Sequence, residues 1–352
     1  MTIINPNKRP LGWGFIGASN IAAEHMVSAV RKQAGNQVVA VASASLDRAR
    51  AFADKLQIAG AYDSAKSLLA DPAVDVVYVS STNELHCEQV LLAASAGKHV
   101  LCEKPLALTV SDAVTMANAC RDAGVVMATN HHLRNAATHR KLQELLKSGA
   151  IGRPLFARVF HAVFLPDHLQ GWRLNRPGAG GGVILDITVH DVDALRFILD
   201  AEPVEATALA QRSGMAREGL EDGVMAVLRF DNGVLAQLHD AFTVKYARTG
   251  IEIHGESGSL IGRDIMTQRA TGEVLVRDAS GERVVPVDHE NLYERGVAAF
   301  CAAIEGGGSP AATAEDGIRS LAASIAISEA CLTGRSVHIP TRQGEDSKVR
   351  SQ

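Results

Sequence analysis

Three side chains stand out by type and spacing. Lys104, in Glu103-Lys104-Pro105, sits at the C-terminal tip of a short apolar strand. An ammonium group there can polarise a carbonyl and stabilise the alkoxide that develops from it. Asp186 and His190 are spaced i,i+4 in a mostly apolar helical stretch, Val183 to Leu199. That spacing puts both on one helical face, and Asp193 and Phe197 continue the stripe. Charged groups among apolar ones cost free energy unless they are paired or used. A carboxylate beside an imidazole orients it and raises its pKa, which suits proton donation near neutral pH. A satisfied structural pair has the same signature.

A second group of residues suits a phosphate-bearing ligand. Leu11 to Ile16 reads as a buried strand, and Gly17-Ala18-Ser19-Asn20-Ile21-Ala22 turns from it into a helix. The turn resembles the dinucleotide fingerprint, with Ser19 at the second glycine and Ala22 at the last. In that fingerprint the helix N-terminus receives a pyrophosphate. An ordinary strand-to-helix turn is the plainer alternative. After the second strand comes Ser43-Ala44-Ser45-Leu46-Asp47-Arg48, without a carboxylate at the strand tip. A carboxylate there would bind a ribose 2′-hydroxyl, whereas Arg48 can pair with a 2′-phosphate, so the stretch favours NADPH. Ser81-Thr82-Asn83-Glu84-Leu85-His86 ends a third strand, where open α/β sheets bind ligands, and Thr82 or Asn83 is expected to cap the next helix. His161, Trp172 and Arg173 offer a pocket lining for sugar hydroxyls or a nicotinamide. His131, His132, His139, His161 and His168 lack metal-ligand spacing, so no metal is expected.

These residues need a frame. Apolar strands at 37–42, 75–81, 99–102 and 125–129 alternate with helices at 46–56, 84–96 and from Ser111, read as an N-cap, to Gly124. That alternation predicts a doubly wound parallel sheet over residues 1–130. The pattern then changes. Residues 131–340 begin with a helix at 136–147, a strand at 155–165, a glycine-rich loop and the helix at 183–199. From Val204 to Val287 strands and turns predominate, with Asp231-Asn232-Gly233 a strong hairpin signal and Ser280-Gly281 another turn. Helices at 291–305 and 314–332 close this second domain, and residues 341–352 are expected to be a disordered tail.

The bulk numbers exclude several classes. The chain has 352 residues, 47% hydrophobic and 21% charged, enough for two domains with substantial cores. Net charge is −4 with both signs interspersed, which argues against a nucleic-acid surface or polybasic membrane face. Five scattered cysteines without C-x-x-C pairs suggest reduced core residues. No apolar run is long enough to span a bilayer, and residues 1–10 carry no leader-like apolar segment, so a cytoplasmic location is expected.

Taken together, the sequence resembles the glucose–fructose oxidoreductase/inositol dehydrogenase (Gfo/Idh/MocA) family over about residues 12–340. The resemblance rests on Gly17–Ala22, Thr82–His86, Glu103-Lys104-Pro105-Leu106 and Gly180-Gly181-Gly182-Val183-Ile184-Leu185-Asp186-Ile187-Thr188-Val189-His190. Thr129–Ala137, His168–Leu174 and Glu221–Met225 resemble the branch that reduces a 2-keto sugar. The resemblance implies an N-terminal Rossmann domain and a C-terminal α+β domain with a large, mostly antiparallel open sheet. It implies NADP(H) held by Gly17, Ala18, Ser19, Asn20, Ile21, Ser43, Ala44, Arg48, Ser81, Thr82, Asn83, His86, Glu103, Lys104, Asn130, Trp172, Arg173 and Tyr293. It implies that His161, Trp172 and Arg173 meet a keto sugar or polyol and that Lys104, Asp186 and His190 are catalytic, either Lys104 or His190 giving the proton. Self-association through the open sheet is a further implication. A different polyol specificity, or a non-catalytic nucleotide sensor on the same scaffold, are the rival readings; a sensor would not need Lys104, Asp186 and His190.

Overall fold

A computed structural model describes residues 10–340, so the tail expected at 341–352 lies outside the described residues. The chain divides into two compact units. The first holds the described residues up to Leu106 together with Ser111–Asn130 and Tyr293–Ala314. The sequence assigns 291–305 to the second domain, but this helix packs with the first. Phe300 meets Trp13 edge-on at 5.8 Å, and Tyr293 stacks on His25 at 4.5 Å. Aromatic packing between distant segments leaves no local periodic signal, which is why the sequence misplaces this helix.

Six parallel strands form the first sheet: β1 (Leu11–Ile16), β2 (Asn36–Ala42), β3 (Gly60–Tyr62), β4 (Val76–Val79), β5 (His99–Cys102) and β6 (Met127–Thr129). Their order is β3-β2-β1-β4-β5-β6. The chain therefore reverses its direction of progress between β1 and β4, where such sheets open a crevice at the strands' C-terminal ends. β4 is buried along its whole length, as a sheet covered on both faces requires. The short β3 and the helix Ala65–Leu69 were not foreseen, being too brief for a periodic signal. The helix expected to start at Ser111 begins at Val110, so Ser111 lies inside it.

The second unit is built on nine strands: β7 (Pro154–Ala162), β8 (Pro203–Gln211), β9 (Gly223–Phe230), β10 (Leu235–Ala241), β11 (Gly250–Gly255), β12 (Gly258–Arg263), β13 (Glu273–Asp278), β14 (Gly281–Val285) and β15 (Val337–His338). Their order is β14-β13-β12-β11-β7-β10-β9-β8-β15. All neighbours are antiparallel except β7 and β10. Asp231-Asn232-Gly233 joins β9 to β10 as expected, with Gly233 at φ +89°. One face of the sheet carries the core. On β9, Val224, Ala226, Leu228 and Phe230 are buried, while Met225 and Val227 alternate outward.

Three helices of this unit matter for the site: α1 (Ala137–Lys147), α2 (Asp167–Asn175) and α3 (Val189–Leu199). α2, which carries Trp172 and Arg173, was not foreseen; Gly171, at φ 27°, kinks it. α3 is preceded by one π-helical turn, Ile184–Thr188, where hydrogen bonds skip an extra residue. A second π turn, Ala22–Met26, follows the Gly17 loop in the first unit.

Candidate active site

In the first unit, the turn after β1 lies against the end of β4. Gly17 has φ +113°, and a Cβ there would come within 2.7 Å of the Ser80 carbonyl carbon, so only glycine fits. Ser19 occupies the fingerprint's second glycine position without blocking it. Its Oγ shares a 2.8 Å hydrogen bond with Ser80 Oγ and accepts the Ala22 N–H at 3.2 Å. The side chain is thus spent on the strand end and the helix start, and the residues from Ala18 to Ile21 are left partly exposed. These residues fit the pyrophosphate of a dinucleotide at a helix N-terminus.

After β2, Ser45 caps the helix Leu46–Leu56, its side chain accepting from Arg48 N. Ala44 and Arg48 are exposed, and Ser43 is half-buried beside them. This edge suits a 2′-phosphate because it presents a hydroxyl and a guanidinium.

Several residues expected to touch the cofactor also make contacts that brace the loops they stand on. Thr82 stands at a helix N-cap but makes no side-chain cap hydrogen bond. His86 is completely buried, with Nδ1 3.0 Å from Pro105 O and Nε2 3.2 Å from Ser81 O. It ties the loop after β4 to the loop carrying Lys104 and has no exposed edge to offer a ligand. Asn83 is buried too. Glu103 Oε1 accepts from Tyr78 Oη at 2.5 Å and from Asn130 Nδ2 at 2.6 Å. Burial pushes the Glu103 carboxyl up, against the pull of those two donors. Tyr293 is 2% exposed and stacked on His25, so its ring is committed to packing. Ser81 Oγ donates to Gln89 Oε1 at 2.7 Å. Lys104 follows Glu103 on this braced loop and is half-buried.

In the second unit, Gly182 and Glu221 build the start of the π turn. Gly182 has φ +99°, and a Cβ would come within 2.3 Å of Glu221 Oε1. That oxygen accepts the Ile184 N–H at 3.1 Å. Asp186, within the turn, accepts from Arg173 Nε at 3.1 Å. The Arg173 guanidinium also lies over the Trp172 ring at 4.7 Å and donates to Leu169 O at 3.2 Å. Trp172, Arg173 and Asp186 therefore form one connected, half-buried group.

His190, one turn on, is 8% exposed, and its ring meets His132 edge-on at 4.7 Å and His131 at 6.3 Å. Asp193, on the same stripe, is engaged elsewhere. Both its oxygens are gripped by Arg134 at 2.8 Å, with Arg196, Asp316 and Ser320 completing a buried network. His161 on β7 has an aspartate partner of its own: its Nδ1 lies 2.8 Å from Asp191 Oδ1. Sequence reasoning missed Asp191, although its place beside His190 in an apolar helix was a signal of the same kind. Among the described residues, no group of three His, Cys, Asp or Glu is arranged to hold a metal ion. No helix among them is long and apolar enough to cross a membrane.

A parallel dinucleotide-type sheet in one unit and an open, mostly antiparallel sheet in the other define the class. The chain belongs to the Gfo/Idh/MocA oxidoreductases: residues 11–131 match the oxidoreductase family with an NAD-binding Rossmann fold, and 139–261 match the GFO/IDH/MocA C-terminal domain. It is 57% identical over 329 residues to 1,5-anhydro-D-fructose reductase of Ensifer adhaerens, covering 94% of this chain and 98% of that one. Myo-inositol 2-dehydrogenase of Thermotoga maritima is 29% identical over 337 residues, covering 93% and 98%. A crystal structure of aldose-aldose oxidoreductase from Caulobacter crescentus complexed with glycerol superposes with a TM-score of 0.85 at 26% identity, covering 94% of this chain and all of that one.

Proposed function

We propose that the chain reduces a 2-keto sugar with NADPH, turning 1,5-anhydro-D-fructose into 1,5-anhydro-D-mannitol. The observation that carries this reading is the 57% identity to 1,5-anhydro-D-fructose reductase along nearly the whole chain. The edge formed by Ser43, Ala44 and Arg48, which lacks a carboxylate at the strand tip, supports NADPH over NADH. When bound, NADPH supplies a hydride equivalent to the ketone carbon. Lys104 orients and polarises the carbonyl. His190 gives the proton to the developing alkoxide oxygen, and Asp186, steadied by Arg173, holds the proton donor's surroundings in place. Trp172, Arg173 and His161 meet the sugar.

The test is NADPH oxidation followed by absorbance with 1,5-anhydro-D-fructose, myo-inositol and glucose offered in parallel. Clear preference for anhydrofructose is expected. Equal or better turnover of another sugar or polyol would move the chain to a different specificity in the family. Binding of NADPH without turnover of any would make it a sensor.

We also place the chain in the cytoplasm and propose that it self-associates through its open sheet. Phe156, Leu209, Met225 and Val227 alternate outward there at 54%, 76%, 51% and 41% exposure, more apolar surface than scattered singles leave.

A further inference from the structure

Behind His161 lies a second carboxyl group that the reaction as described does not use. Asp240 on β10 is the direct register partner of His161 on the parallel strand β7, so both project to the same face. Leu238 and Ala236 share that face and are fully buried. α3 brings Asp191 down on it, with Oδ1 2.8 Å from His161 Nδ1. Asp191 and Asp240 are both 0% exposed. Neither oxygen of Asp240 has a hydrogen bond of ordinary geometry among the described residues. Its polar neighbours are the Asp191 carboxyl, the Thr188 hydroxyl and His161. From α1, His139 also faces His161, and burial lowers its pKa to about 3, so no positive charge comes from that side.

Two carboxylates side by side in a dry site cannot both be ionised; one proton shared between them removes the repulsion. Burial and the Asp191 charge push the Asp240 carboxyl well above the ordinary range, in keeping with this. The remaining single negative charge lies on the Nδ1 side of His161, and a carboxylate there selects the tautomer that carries its proton on Nδ1.

We propose that Asp191 and Asp240 share one proton and together fix His161 as the Nδ1–H tautomer, leaving Nε2 as an acceptor for a substrate hydroxyl. Both aspartates are positioning residues that act through His161. The proposal deepens the reading of His161 as a sugar contact and rests on it for the identity of the hydroxyl. The tautomer itself does not depend on the substrate.

The test therefore uses the full chain without sugar. Infrared spectra at about neutral pH, well above the ordinary carboxyl range, are expected to show a protonated-carboxyl C=O band that disappears in Asp240→Asn. Nitrogen-15 spectra, with His161 assigned through His161→Gln, are expected to show Nδ1 protonated and Nε2 bare. Asp240→Asn keeps a donor to Asp191 and should keep that tautomer, whereas Asp191→Leu should release it to a mixture. Absence of the acid band in the unmodified chain, or a His161 protonated on Nε2, overturns the proposal. Both spectra are recorded on the unmodified chain, and the variants serve to assign the band and the ring. Because no turnover is measured, a wrong sugar assignment leaves them untouched.

Discussion

Arg173 Nε lies 3.1 Å from Asp186 Oδ2, so the carboxylate four residues ahead of His190 is held by a guanidinium from α2. A hydrogen bond to a charged group contributes about 1.5–3 kcal/mol, so Arg173→Gln is expected to lower kcat/KM for the keto sugar about 10- to 100-fold. Steady-state kinetics check this. A value within about twofold of the unmodified chain, less than ~0.5 kcal/mol, would show that Asp186 is placed by other contacts.

His190→Asn removes the proposed proton donor while keeping a polar side chain of similar reach. A loss of roughly 10²–10⁴-fold in kcat is expected, the usual worth of general acid catalysis. A loss below about tenfold would shift the proton donation to Lys104.

Ser43→Asp combined with Arg48→Leu puts a carboxylate where a 2′-phosphate is proposed and removes its cation. Repulsion of the phosphate and a new partner for the ribose hydroxyl should turn the preference toward NADH. The ratio of kcat/KM for the two cofactors reads it directly, and a double variant that kept a strong NADPH preference would contradict the assignment.

Stability should fall in mild acid because of two buried histidines. Burial lowers the pKa of His131 to about 4 and that of His139 to about 3. Below the ordinary histidine value the unfolded chain takes up protons that the folded chain refuses. Their contribution is therefore complete above about pH 6.5 and shrinks as pH drops toward the folded values, by about 2 kcal/mol each by about pH 5. Asp193 acts lower still. Burial opposes its charge, but Arg134 overcomes this and holds the pKa at about 2, so its contribution is lost only as pH falls from about 4. Urea unfolding midpoints at neutral pH and about pH 5 test the histidine window, and His139→Leu should flatten the dependence. Equal midpoints in the unmodified chain would refute it.

Local pattern carried most of the frame. The Gly17 turn, the strands near Asp75, His99 and Val125, and the Asn232-Gly233 hairpin announce themselves through neighbours in sequence. Arrangements made by distant segments did not. Tyr293 seemed a group that closes over the cofactor, yet its ring packs on His25 within the first unit. Asp193 read only as continuing the face of Asp186 and His190, because nothing in its own helix reveals the approach of Arg134. His86 read as a ligand contact, since a sequence does not show two carbonyls converging on one ring. Asp240 was the more readable omission: strand alternation places it with Leu238 and Ala236, so an inward carboxylate was visible in the pattern.

The π turn at Ile184–Thr188 leaves a mark on how this enzyme can change. It holds one residue more than a regular helix would over the same stretch. Deleting one residue there would let the backbone relax into an unbroken α-helix at small cost to the core. Because the turn absorbs its extra residue, the segments on either side would keep their present phase, and the residues inside it, Asp186 among them, would change the direction they face. A single codon lost from this segment would thus leave a folded protein with Asp186 re-aimed, and a single codon gained would be the simplest way its present placement first arose.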